Sequence, residues 1–133
     1  MASIRFEYKW DDPTRRDVIR LTALDGWSWK DYHVVARVVS LNVSAQPPQS
    51  VDVLIDFSKA TGAFPAGISA HARTFGKRLT PALSGVAFVI GVPEHELAKL
   101  GVEPGKPLTT AEGQVHFIAE WRMMGLIRAM RKF

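Results

Sequence analysis

Asp56 is the residue in this chain best placed to do chemistry. It ends the short β-branched run Val51-Asp52-Val53-Leu54-Ile55, which reads as a strand. In open α/β sheets the carboxyl ends of the strands are where ligands and reactive groups gather. A carboxylate there can hold a metal, accept a phosphoryl group or act as a base. It can equally cap the following turn by accepting backbone N–H groups, with Ser58 close by. No acid or histidine stands beside Asp56 in sequence to make a catalytic pair, and that favours the cap.

The other candidate patterns are incomplete. His95-Glu96 opens like the zinc-protease helix motif, but Lys99 stands where the second histidine must be; two imidazoles one turn apart are what let a helix chelate zinc. His33, His71, His95 and His116 fall on four different elements, without chelating spacing. Gly101-Val102-Glu103-Pro104-Gly105-Lys106 has three residues between its glycines where a phosphate loop needs four, and Pro107 follows the lysine. It reads as a turn. Without cysteine, disulfide frameworks and thiolate sites are excluded. No metal and no cofactor is expected, and the chain reads as a non-enzyme.

The elements that must position these residues follow from periodicity. Ile4, Phe6 and Tyr8 alternate with Arg5, Glu7 and Lys9, the pattern of a half-buried strand. Asp11-Asp12-Pro13-Thr14 supplies a turn, Val18-Ile19-Arg20-Leu21 a return strand, and Asp25-Gly26 closes the hairpin. Ser28 and Asp31 form a capping-box variant. Trp29, Tyr32, Ala36, Val39 and Val43 then mark one helical face, which must end before Pro47-Pro48. Ile68, Ala72, Phe75 and Leu79 predict a second helix running to Pro81. It presents Arg73, Lys77 and Arg78 to solvent. Gly85 to Ile90 is apolar on both sides, as in a central strand. Glu94 to Leu100 predicts a short helix stopped by Gly101. Val102 to Gly113 reads as a loop, Gln114 to Ile118 as a strand, and 119–133 as a helix. The order predicts one α/β domain over residues 1–133, helices packed on a mixed sheet of about five strands.

At 133 residues the chain suits one domain. The net charge of +4 resides in Arg122, Arg128, Arg131 and Lys132, leaving residues 1–121 balanced. A nucleic-acid-binding face spread over the domain is therefore not expected. Met1 to Trp10 has no apolar signal region, and the longest apolar run, near Val86–Val92, is far below the roughly 20 residues that cross a bilayer. A cytoplasmic protein is expected.

Two aromatic or apolar features stand apart. Trp27 and Trp29 flank the start of the first helix; Trp29 is in phase with its apolar face, whereas Trp27 is as compatible with a pocket wall as with the core. In 119–133, Arg128, Arg131 and Lys132 share a face with Trp121 and Met124, opposite Met123, Leu126, Ile127, Met130 and Phe133. Late cations complement a helix dipole. The wide apolar circumference also suits a second copy of the chain, an anionic membrane or a partner groove. A homodimer is the expected assembly, with Trp27, Trp29, Trp121, Met124 and Met130 as contacts to it or to an apolar ligand.

Val51-Asp52-Val53-Leu54-Ile55-Asp56-Phe57-Ser58, preceded by a hairpin and a helix and followed by a Gly-containing loop opening another helix, resembles the STAS domain. That superfamily includes the anti-sigma-factor antagonists and SpoIIAA-like proteins. Bacterial STAS-like proteins are also similar in pairing a Trp-rich helix start, here Gly26-Trp27-Ser28-Trp29, with that strand. The order of elements agrees over nearly the whole chain, and the motif over residues 51–68. In the antagonists the loop carries Asp-Ser-Ser-Gly, whose first serine a partner kinase phosphorylates. Here Phe64-Pro65-Ala66-Gly67 occupies those positions. Gly67 and Ile68 agree, but Pro65 has no hydroxyl, and neither Ser58 nor Ser69 stands at the switch position. The resemblance thus implies a regulatory module binding a protein through Asp56, Ser58, Phe64, Pro65, Gly67 and Ile68, without the phosphorylation switch. Capture of a lipid-like apolar molecule is the alternative.

Overall fold

A computed structural model describes residues 4–102, 108–109 and 113–118. The expected hairpin forms from β1 (Phe6–Trp10) and β2 (Val18–Ala23), paired antiparallel with Phe6 opposite Ala23 and Trp10 opposite Ile19. The turn between them is fixed by Asp12, whose Oδ1 accepts from the Thr14 amide at 3.0 Å and its hydroxyl at 2.7 Å. Helix α1 (Trp29–Val43) starts at Ser28 with both halves of the capping box made. It ends well before Pro47, as the missing proline N–H requires.

β3 (Val51–Asp56) lies parallel to β2 and to β4 (Leu83–Ile90), and β4 lies parallel to β6 (Gln114–Ile118). The sheet order is β1-β2-β3-β4-β6-β5, mixed and six-stranded, so β4 is interior as its two-sided apolarity predicts. β5 (Leu108–Thr109) pairs antiparallel with β6, within the span read as loop; two residues are too few to leave a periodic signal. The crossovers β2-α1-β3, β3-α2-β4 and β4-α3-β6 advance one way across the sheet. With right-handed connections their helices share one face. That face holds the main core, from Ile19, Leu21 and Ile55 to Val39, Phe75 and Val115. Val18, Leu54, Phe88 and Ile90 form a smaller core on the other face.

The second helix departs from its expected length. α2 spans only Ile68–His71 and passes into a 3-10 turn, Ala72–Thr74. The Thr74 hydroxyl bonds back to the His71 carbonyl at 2.6 Å, and the Lys77 amide reaches only to Thr74 at 3.2 Å, contacts that tighten a helix end. Gly76 then presses on β4: a Cβ at Gly76 would stand 3.0 Å from the Gly85 carbonyl oxygen. Leu79, expected on the core face, is 45% exposed. α3 (Glu94–Leu100) stops at Gly101 in the left-handed region, as expected. Glu96 lies in the first turn of α3 and is buried, its Oε1 within 3.2 Å of the Lys99 ammonium. No helix among the described residues is long and apolar enough to cross a membrane. The expected helix 119–133, with Trp121, Met124 and Met130, lies outside the described residues.

Candidate functional site

Asp56 ends β3 on the face opposite the helices, with no exposed surface. Its Oδ1 accepts from the Ser58 amide at 2.8 Å and the Ser58 hydroxyl at 2.5 Å. Its Oδ2 takes the Arg20 guanidinium at 2.5 Å. The parallel register sets Thr22 opposite Asp56, so Arg20, two residues earlier on the same face of β2, reaches forward along the strand to meet it. Burial by itself would raise the Asp56 carboxyl; the Ser58 hydroxyl, the Arg20 guanidinium and the Ser58 amide outweigh it and hold the pKa below the usual 3.8. Asp56 therefore stays ionised and organises the first turn after β3. Arg20 is the partner that sequence reasoning missed. Its signal is a lone arginine in the otherwise apolar run Val18-Ile19-Arg20-Leu21, which buries a charge only against another.

The chain after Asp56 is laid over an aromatic floor. Phe57 is buried and its amide bonds the Ile90 carbonyl at 2.9 Å. Trp27 stacks on Phe57 with ring centres 4.9 Å apart and meets Phe64 edge-on at 5.3 Å. Trp29 donates its indole N–H to the Ala66 carbonyl at 2.8 Å and stacks on His71 at 4.6 Å. Asp25, after β2, accepts from the Thr61 amide and hydroxyl, which holds its carboxyl below the usual range. The loop is thus tied to the β2–α1 connection at Thr61 and to the first residue of α1 at Ala66.

Two sequence expectations change here. Trp27 and Trp29, expected to contact a ligand or second subunit, are 6% and 8% exposed and pack in their own core. Ile68, expected on the binding surface, is only 1% exposed; its apolar side chain anchors α2 from beneath. Phe64 and Pro65 are half-buried, while Ser58, Ala63, Ala66, Gly67 and Ser69 are exposed. At Gly91, φ is +84° and an added Cβ would lie 2.4 Å from the Ser58 nitrogen. Only glycine lets the end of β4 approach the loop this closely.

The floor continues into an imidazole pair. His33 Nε2 and His71 Nδ1 are 2.8 Å apart, a separation that requires a single proton between them. Burial, the His71 ring and Lys77 together depress the His33 pKa below 6.5, and burial alone depresses that of His116. A histidine with a depressed folded pKa favours the folded state only while neutral. Its contribution is present above the unfolded value near 6.5 and is lost as pH falls through the folded value. The thermal midpoint is expected to fall as pH is lowered from 7.5 to 5, and less steeply in a His33→Gln/His116→Gln variant. Asp25 and Asp56 titrate below 3.8, so their loss is confined to a separate, more acidic window. Equal slopes for both proteins between pH 7.5 and 5 would refute the assignment.

Between α1 and the sheet, Leu21, Tyr32, Val39 and Phe75 help line a cavity of about 30 Å³, about the space of one water. Among the described residues no group of three or more histidines and acids is arranged to hold a metal. Comparison with models of known protein families, with curated proteins and with solved structures returns no match.

Proposed function

We propose that this chain is a non-catalytic, STAS-like binding module that docks a protein partner through the loop after β3 and the start of α2. The observation that carries the reading is the rigid presentation of that loop. Thr61 and Ala66 are tied to Asp25 and Trp29, Phe64 is seated on Trp27, and Ala63, Ala66 and Gly67 are turned outward. A fixed loop binds without the entropy loss of ordering it, so its small apolar surface is put to use. Asp56 has both oxygens engaged within the protein and no exposed surface, which suits a residue that shapes the loop better than one that meets substrate. With Pro65 at the switch position, recognition rests on a constant shape rather than a phosphorylated one.

Affinity capture tests this with a loop variant that leaves the core intact. Ala63→Glu/Ala66→Glu alters exposed side chains only. It is expected to keep the wild-type thermal midpoint and to lose at least about tenfold in recovery of the captured protein, since charge on an apolar contact costs about 1.4 kcal/mol or more. Arg15→Glu, in the distant β1–β2 turn, is expected to change nothing. Equal recovery by the folded loop variant and the wild type would exclude this surface.

A further inference from the structure

β1 is the edge of the sheet, and no described strand pairs with its outer side. The Leu24 amide bonds the Arg5 carbonyl and the Asp11 amide bonds the Val18 carbonyl, each at 2.9 Å. With the Phe6–Ala23 register, the odd residues of β1 therefore turn their backbone groups to β2. Phe6, Tyr8 and Trp10 turn theirs outward. An open edge of this kind is a template for another strand.

We propose that the occupant of this edge is the β1 strand of a second copy of this chain, antiparallel about a two-fold axis through Tyr8. Tyr8 is the middle residue of the strand Phe6–Trp10. The register that overlaps the two strands fully sets Tyr8 against Tyr8 and Phe6 against Trp10. All of these are outward-facing residues able to exchange backbone hydrogen bonds. The same register sets Glu7 of each copy against Lys9 of the other, in the pairs where side chains approach most closely. Sliding by one pair in either direction sets Glu7 against Glu7 or Lys9 against Lys9. Charge and overlap thus select one register, and its symmetry closes the dimer.

Helix α1 extends the surface. Its inner face is buried, yet Val34, Val38 and Leu41, spaced i, i+4 and i+7, form a second apolar stripe, with Leu41 74% and Val34 39% exposed. Asn42, beside that stripe, bonds the Val38 carbonyl at 2.8 Å and approaches the Tyr8 hydroxyl at 3.4 Å. The stripe accordingly flanks the β1 edge, while Lys30, His33 and Arg37 occupy the far flank. Pairing of the edges brings the two stripes together across the axis, covering apolar surface that the monomer leaves to water. The loop after β3 stays open in both copies, so the dimer presents it twice.

Sedimentation analysis of the full chain across a concentration series tests the proposal, with circular dichroism verifying the fold of each variant. The wild type is expected to sediment as a dimer. Glu7→Lys puts lysine at both positions and Lys9→Glu puts glutamate at both. Each is expected to weaken self-association about tenfold or more. An equimolar mixture of the two is expected to restore the dimer, because both lysines of one copy then face glutamates of the other. Leu41→Glu is expected to weaken association independently. A monomeric wild type, single variants that dimerise like it, or a mixture that stays monomeric would each overturn the assignment.

Discussion

Asp56→Ala is expected to destabilise the domain by about 3–5 kcal/mol, the range found when one member of a buried ion pair is removed. The carboxylate is fully buried and takes Arg20 on one oxygen and Ser58 on the other. Its removal takes the carboxylate from a guanidinium only 17% exposed, whose desolvation is then less fully offset. The Ser58 amide and hydroxyl lose their acceptor as well, a further penalty for polar groups left without one. Most domains of this size are stable by only about 5–15 kcal/mol, so the variant sits close to unfolding at physiological temperature. Urea denaturation measures the effect as a lower midpoint. A double variant, Arg20→Met/Asp56→Leu, removes both charges and is expected to recover most of the loss, because the pair costs nearly as much to desolvate as it returns. If Asp56→Ala shifts stability by less than about 1 kcal/mol, the pair is a surface contact and the account of the loop fails.

Trp27→Ala is expected to cost about 3–5 kcal/mol, the usual range for truncating a buried aromatic. The indole meets Phe6 edge-on at 5.5 Å and Trp29 at 4.9 Å, stacks on Phe57 at 4.9 Å and carries Phe64 at 5.3 Å. Four rings on three segments lose a shared neighbour, and the rigid backbone around them cannot close the cavity. Phe64 lies in the proposed binding loop, so the variant also loosens that loop in the molecules that stay folded. Near-ultraviolet circular dichroism reports the lost ring packing, and urea denaturation reports the energy. Trp27→Phe, which keeps the stacking on Phe57, is expected to cost less than half as much. Surface substitutions change stability by only about 0.5 kcal/mol, so an effect of that size would return Trp27 to the solvent-facing role that the sequence leaves open.

The two residues differ in how far they can be read beforehand. Trp29 carries its role in its spacing, since it repeats with Tyr32, Val39 and Val43 on one helical face. Trp27 lies outside that period, in the connection before Ser28, and nothing local assigns it a side. Its burial follows from Phe6 and Phe57, which the sheet brings to it from β1 and from the end of β3. Asp56 is similar. Its capping of Ser58 is a contact over two residues and is legible from composition, whereas Arg20 stands 36 residues away. The second helix shows the converse error. Ile68, Ala72 and Phe75 are all buried as their spacing predicts, but the same spacing overruns into Leu79. Gly76 meets the carbonyl of Gly85 and the chain must turn, an obstacle no helical period contains.

The sequence by itself determined most of the elements and their order over the described residues, β5 and the length of α2 apart: the β1–β2 hairpin, the capping box at Ser28 and Asp31, the stop at Gly101, and β4 as an interior strand. It did so because alternation, helical period, caps and turn residues act within a few residues of themselves. Only the tertiary structure decided which strands are neighbours and in what register. That register joins Arg20 to Asp56, sets His33 beside His71, seats the loop on Trp27, and leaves the backbone hydrogen-bonding groups of Phe6, Tyr8 and Trp10 on β1 facing outward. These are contacts between segments brought together by burying a common apolar face, and the side chains that meet there carry no local mark of their partners.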